Sequence, residues 1–245
     1  MILPLLLLFC AADDVKEIRK TLTLSPQGRV SIDTYKGQIK VTTWDQPQVE
    51  VHVRIEGDGW GPVDREQVRN TEIEIDSSAD SLRLKTRYPK NFGINWPGND
   101  LPLAKYVIRM PRTAQLRIKD YKSEIEVDGL SASLDIDTYK GDVRILRQNG
   151  GTVSVKTYKS EARVEFSKLS DRMSFETYRG SYEVSLPRDA RFDLDWNGGR
   201  RSTLDSSFSM IRSATANRGD HFHTRVNGGG PAMTLKGYRG VFRLR

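Results

Sequence analysis

The stretch LDIDTYKGDVRILRQNGGTVSVKTYKSEARVEF, residues 134–166, carries one pattern twice. Leu134 and Ile136 lead to the triplet Tyr139-Lys140-Gly141, which Val143 and Ile145 follow. The second copy runs Val153, Val155, Tyr158-Lys159-Ser160, Ala162 and Val164. Apolar residues two apart mean a strand with one face inward. Counted from each tyrosine, the inward positions are odd before the triplet and even after it. The triplet therefore resets the phase, with Gly or Ser supplying a permissive backbone.

The same triplet stands at Tyr35-Lys36-Gly37, Tyr121-Lys122-Ser123, Tyr178-Arg179-Gly180 and Tyr238-Arg239-Gly240, with Trp196-Asn197-Gly198 as a degenerate copy. From Tyr121 to Trp196 the successive spacings are 18, 19, 20 and 18 residues. The residues at minus five, minus three, plus four and plus six of the six tyrosines make twenty-four positions, all hydrophobic, in a chain that is 37% hydrophobic. A period of about 18–20 residues is too short for helical repeats and predicts an all-β, single-stranded β-solenoid with one turn of the period per coil.

Stacked coils lie about 4.8 Å apart, so equivalent side chains form columns. The tyrosines Tyr35, Tyr121, Tyr139, Tyr158, Tyr178 and Tyr238 would be one column. Lys36, Lys122, Lys140, Lys159, Arg179 and Arg239 would be the next. These twelve residues are the candidate binding ridge. A solvated corner is the plainer reading of the same residues. Like charges stacked this closely repel unless they are splayed, paired with acids or bridged by an anion. Asp33, Asp137 and Glu176, each two before a tyrosine, are the acids placed to pair with them.

Residues 45–115 break the period. Strands are expected at Val49–Ile55, Thr71–Ile75, Ser81–Arg87 and Lys105–Met110, with a turn at Gly57–Gly61 and one short helix at Pro62–Val68. Pro89–Pro102 reads as an excursion loop. The domain expected is thus a single unit, 13–245, with an irregular insertion near 57–104.

The 245 residues are enough to bury a sizeable core. Thirty-nine Lys and Arg against 32 Asp and Glu leave a net charge of +7, compatible with any anionic partner. The single cysteine, Cys10, excludes an internal disulfide and any Cys-rich metal cluster. Ile2–Ala12 is apolar but short for a membrane span, and Cys10 and Ala12 sit at minus three and minus one of a cut before Asp13. Residues 1–12 therefore read as a signal peptide. They lack a basic leading segment, since the first cation is Lys16. The expectation is an exported protein that is periplasmic, secreted or at the cell surface. A lipid anchor at Cys10 is the lesser alternative, because Phe9 is a poor residue before a lipidated cysteine.

Residue patterns for chemistry are weak. His221-Phe222-His223 puts two imidazoles on one strand face, but the remaining histidine is His52, and a stable metal site wants three or four ligands. Arg218-Gly219-Asp220 is ordinary turn chemistry as well as a tripeptide that integrins read. Asp128, Asp135 and Asp142 scatter and do not cluster as a glycosidase pair. No nucleophile elbow, phosphate loop or dinucleotide fingerprint is present. The reading is of no enzyme, no cofactor and no metal.

Several of these segments resemble the bacterial putative-adhesin family, proteins of unknown function built from short β-strand repeats. They are Val41-Thr42-Thr43-Trp44 followed by Val49-Glu50-Val51, Leu82-Arg83-Leu84 before an insertion, Tyr106–Pro111 leading into the repeats, and the glycine-rich turn Gly228-Gly229-Gly230 before Leu235. The resemblance covers most of the chain after residue 12. It implies a right-handed β-helix or β-roll, envelope-associated, with no catalytic residues to carry over. Family members usually show Ser-Gly at the corners, where this chain has Tyr with Lys or Arg. The function expected is a non-catalytic, adhesin-like scaffold or interaction module. Its alternatives are a module binding acidic glycan or lipopolysaccharide through the ridge, and a carbohydrate-active β-helix enzyme. Partners expected are an anionic glycan or the envelope surface, with self-association through solenoid ends and no physiological nucleic acid.

Overall fold

The computed structural model of the chain describes residues 15–58, 62–89, 101–199, 201–210 and 221–245. The expected signal peptide, the Arg218-Gly219-Asp220 tripeptide and most of the Pro89–Pro102 loop lie outside the described residues. In chain order the strands are β1 (Val15–Thr23), β2 (Arg29–Asp33), β3 (Lys36–Trp44), β4 (Gln48–Glu56), β5 (Glu72–Ser77), β6 (Ser81–Arg87), β7 (Leu103–Pro111) and β8 (Gln115–Asp128). They continue as β9 (Leu134–Lys140), β10 (Val143–Asn149), β11 (Thr152–Lys168), β12 (Arg172–Ser185), β13 (Phe192–Asn197), β14 (Thr203–Ser206), β15 (His221–Val226) and β16 (Ala232–Leu244). One helix, α1 (Pro62–Asn70), lies between β4 and β5, where the sequence predicts it.

All twenty-four flanking positions are buried, each at most 2% exposed. They meet in register across the parallel pairs. Ile39, Ile125, Val143, Ala162, Tyr182 and Phe242 form one column, and Ile32, Ile118, Ile136, Val155, Phe175 and Leu235 form another. The phase reset is visible in β11, where Val153, Val155 and Thr157 are buried, Tyr158 and Lys159 point outward, and Ser160, Ala162 and Val164 are buried again.

The pairing overturns the single-stranded β-solenoid. All sixteen strands join one sheet, and within it β8, β9, β11 and β10 close on themselves as a four-stranded parallel barrel. The reason lies at the tyrosine triplets. A solenoid corner would break the strand there, yet β11 pairs with β12 from Thr152 and Arg172 through to Glu165 and Ser185. The two halves of β11 thus engage different neighbours, β9 and then β10, and β8 meets the same two strands from the other side. Inward alternation with one reset looks the same in sequence whether the backbone breaks or bends. Four antiparallel pairs also depart from a uniform coil: β1 with β4, β4 with β7, β5 with β6, and β13 with β15. Three of them involve strands of the 45–115 stretch that breaks the period.

Candidate functional site

The six tyrosines of the triplets form one continuous stack. Centroids of consecutive rings, Tyr35–Tyr121–Tyr139–Tyr158–Tyr178–Tyr238, are 4.4–4.9 Å apart, with planes within 2–10° of parallel. Strand spacing imposes this, because in-register parallel pairing repeats equivalent side chains at the distance at which aromatic rings touch. The interior rings lie with both faces against neighbours and turn only edges and hydroxyls to solvent. At the Tyr35 end, Tyr88 packs edge-on, 6.3 Å away at 76°.

The cations follow in register on one side of the stack. Lys36 stands opposite Lys122, Lys122 opposite Lys140, Lys140 opposite Lys159, Lys159 opposite Arg179 and Arg179 opposite Arg239. Lys36 is buried and ion-paired to Asp58, so it is not an exposed member of the ridge. Among the described residues, no ion pair is formed by Lys122, Lys140, Lys159, Arg179 or Arg239. Lys140, Lys159 and Arg239 lie 5.6–5.8 Å from the centroid of the tyrosine each follows. Tyr139 and Tyr158 are stacked on both faces, so Lys140 and Lys159 lie off their ring edges.

On the other side of the stack is a column whose pattern is missed when only its acids are read. Lys85, Asp33, Lys119, Asp137, Lys156, Glu176 and Lys236 face one another in register and alternate in sign without exception. Asp33 pairs with Lys85 and Glu176 with Lys236, each at 3.3 Å. Two of the three acids expected to neutralise the ridge are thus occupied in their own column, and the third, Asp137, stands in register between Lys119 and Lys156. The signal is present in sequence as the residue at minus two, once every copy is compared.

Between the alternating column and the tyrosines runs a groove of about 520 Å³, bordered by Tyr139, Tyr158, Tyr178 and Tyr238 and reaching Asn197 and Gly199. Beneath it lies a buried column of Thr34, Asp120, Thr138, Thr157 and Thr177. Asp120 is the one carboxylate among threonines. It accepts hydrogen bonds from the Ser123 amide and hydroxyl and from Thr138 Oγ1. Burial pushes its carboxyl above the ordinary aspartate range, and those hydrogen bonds pull in the opposite direction. Beyond the cations, Glu124, Asp142 and Glu161 border a second depression of about 270 Å³ together with Arg144 and Arg163.

The degenerate triplet is corrected. Trp196 does not join the tyrosines. It stands opposite Leu235, 3% exposed in the core, with Asn197 opposite Lys236. Two residues on, Gly199 takes the place beside Tyr238, and a Cβ built on it would lie 3.7 Å from the Tyr238 Cα. His221 and His223 flank the inward Phe222 on the outer face of β15, with His221 Nδ1 3.7 Å from Asp195. No group of three or more His, Cys, Asp or Glu side chains suited to a metal occurs among the described residues.

The architecture has a solved counterpart. The chain is similar in fold to a structure described as a putative cell adhesion protein from Clostridium sporogenes, at 11% identity and a TM-score of 0.52, covering 94% of this chain and 99% of that one. Also similar are a putative adhesin from Bacteroides fragilis, at 11% identity and TM-score 0.38 over 94% and 97% of the two chains, and a putative lipid binding protein from Parabacteroides distasonis, at 11% identity and TM-score 0.28 over 95% and 97%. At such identity the first likeness establishes a shared fold and nothing about ligand. No protein-family model matches the chain, and no curated protein does.

Proposed function

We propose that the protein is a non-catalytic, adhesin-like binding module of the cell envelope or exterior, and that its ligands are polyanions such as acidic glycans. The observation that carries this reading is the column Lys122, Lys140, Lys159, Arg179 and Arg239, five same-sign side chains at inter-strand spacing without an ion pair among the described residues. Like charges directly opposite one another oppose folding. Two columns away the same strands alternate sign at every step, so the chain has the means to neutralise a column and does not do so here. A linear polyanion along the ridge relieves the repulsion coil by coil and releases its own counterions. The apolar segment before Asp13 supports export, and the description of the Clostridium sporogenes structure as a cell adhesion protein accords with an exterior role.

The test is retention on an anionic polysaccharide matrix. Replacing Lys122, Lys140, Lys159 and Arg179 by Gln is expected to abolish retention at moderate salt and to flatten its salt dependence. A control in which Arg19, Arg83, Arg112 and Arg188 become Gln has the same net charge. Equal loss of retention in the control overturns the assignment to the ridge.

A further inference from the structure

The tyrosine ladder is finished at one end and open at the other. Tyr88 caps Tyr35, whereas at the far end the position beside Tyr238 is occupied by Gly199, which has no side chain. Tyr238 is accordingly the most exposed ring of the six, at 53%. Its inner face rests on Tyr178, 4.9 Å away. Arg239 Cζ stands 5.6 Å from the Tyr238 centroid, farther out than the 4.4–4.9 Å at which the rings of the ladder stack. The missing rung leaves a slot over Gly199, beside the Tyr238 ring, at the end of the groove.

Polar groups around the slot define what fits it. The Arg239 Nε is buried and has no hydrogen-bond partner, and its guanidinium forms no ion pair among the described residues. An unpaired buried donor beside an open aromatic face favours an anionic group on the ring that stacks there. Lys236 and Asn197, opposite each other in register, form the groove wall beside it and offer donors and an acceptor suited to hydroxyl groups. A bare aromatic ligand would leave the Arg239 Nε without a partner, whereas a pyranose carboxylate would satisfy it while laying its C–H face on Tyr238.

We infer that the slot between Tyr238 and Gly199 binds the terminal uronic acid residue of an acidic glycan, stacked as the seventh rung, with its carboxylate on Arg239. This deepens the polyanion reading and rests on it for ligand class, but it uses different residues. The two are separable by ligand length, since a disaccharide is too short to span the ridge.

The probe is digalacturonic acid, with cellobiose as the uncharged comparison, titrated against the tyrosine ring signals by NMR. Digalacturonate is expected to bind the wild type and the Lys122, Lys140, Lys159, Arg179→Gln variant alike, and cellobiose to bind neither. Tyr238→Ala and Arg239→Gln should each weaken it at least tenfold, and Tyr238→Phe should retain it. Arg239→Gln leaves the ladder intact and so guards against a folding artefact in Tyr238→Ala. Disaccharide binding that is absent, or unchanged by both Tyr238→Ala and Arg239→Gln, overturns the slot. Polymer retention that fails while the disaccharide still binds through Tyr238 overturns the ridge alone and upholds the slot.

Discussion

The ring of Tyr158 lies 4.4 Å from that of Tyr139 and within 9° of parallel to it, although nineteen residues separate the two in sequence. Parallel pairing of β9 with β11 fixes this contact, with Lys140 opposite Lys159 and Thr138 opposite Thr157 on either side. Tyr158 joins the two halves of the ladder, so Tyr158→Leu removes two stacking contacts and leaves stacks of three and two. Stability is expected to fall by about 1–3 kcal/mol, from about 0.5–1.5 kcal/mol per aromatic contact. The exciton-coupled tyrosine signal in circular dichroism should shrink by far more than the one-sixth that loss of a single independent ring would give. A proportional loss would mean that the rings do not couple.

The alternating column makes a prediction about sign. Glu176 stands between Lys156 and Lys236, and Glu176→Lys would place three cations in succession. A destabilisation of about 1 kcal/mol is expected, typical of a cross-strand pair changed from opposite to like charge. Adding Lys236→Glu restores alternation at that step, so the double variant should be more stable than Glu176→Lys alone. Additive effects in the double-mutant cycle would show that the column does not act through its neighbours.

Gly141 adopts φ +104°, and a Cβ there would meet the Ser123 carbonyl oxygen at 2.0 Å. The contact is with backbone of the adjacent strand, which cannot swing aside. Gly141→Ala should therefore cost more than the about 1 kcal/mol of an ordinary glycine substitution at an incompatible φ. Ser123→Ala, at the equivalent triplet position one copy earlier, loses only its hydroxyl contact with Asp120. Chemical denaturation of the two variants checks the order, and a Gly141→Ala protein as stable as Ser123→Ala would contradict it.

Asp120 gives the fold a pH dependence of known sign. Its carboxyl is raised in the folded state, chiefly by burial, so the folded protein holds the proton more tightly than the unfolded chain does. Its contribution is fully present below the ordinary aspartate range and is lost as pH rises through the raised value. Asp120→Asn removes that titration. The urea midpoint of the variant relative to the wild type should rise as pH is increased from below the ordinary aspartate range. Parallel profiles would show that Asp120 does not titrate differently in the two states.

Residues 134–166 already contain the inward positions, the phase reset and the two outward columns, because burial of alternate residues leaves a periodic trace that needs no coordinates. The alternating charges at minus two are equally readable, because each acid faces the cation at the same position in the neighbouring copy. The misplacement of Trp196 comes from where the count begins. Counting from the aromatic residue puts Trp196 in the tyrosine column. Counting from the apolar pair Leu194 and Trp196, which face Met233 and Leu235, puts Gly199 there. The core pair is the better guide, since buried side chains hold register more firmly than exposed ones.

Sequence alone determined that the chain is all-β, which side chains enter the core, and which tyrosines and cations share a face, since each follows from local alternation. Only the tertiary structure decided that β8, β11, β12 and β16 run unbroken through their triplets while the chain breaks between β2 and β3 and between β9 and β10, and that β8, β9, β11 and β10 close into a barrel. It alone withdrew Lys36 from the ridge into its pair with Asp58 and left the last rung of the ladder to Gly199. Those outcomes depend on hydrogen-bond pairing between segments far apart in the chain, and the hydrophobic period is silent about where a paired strand stops.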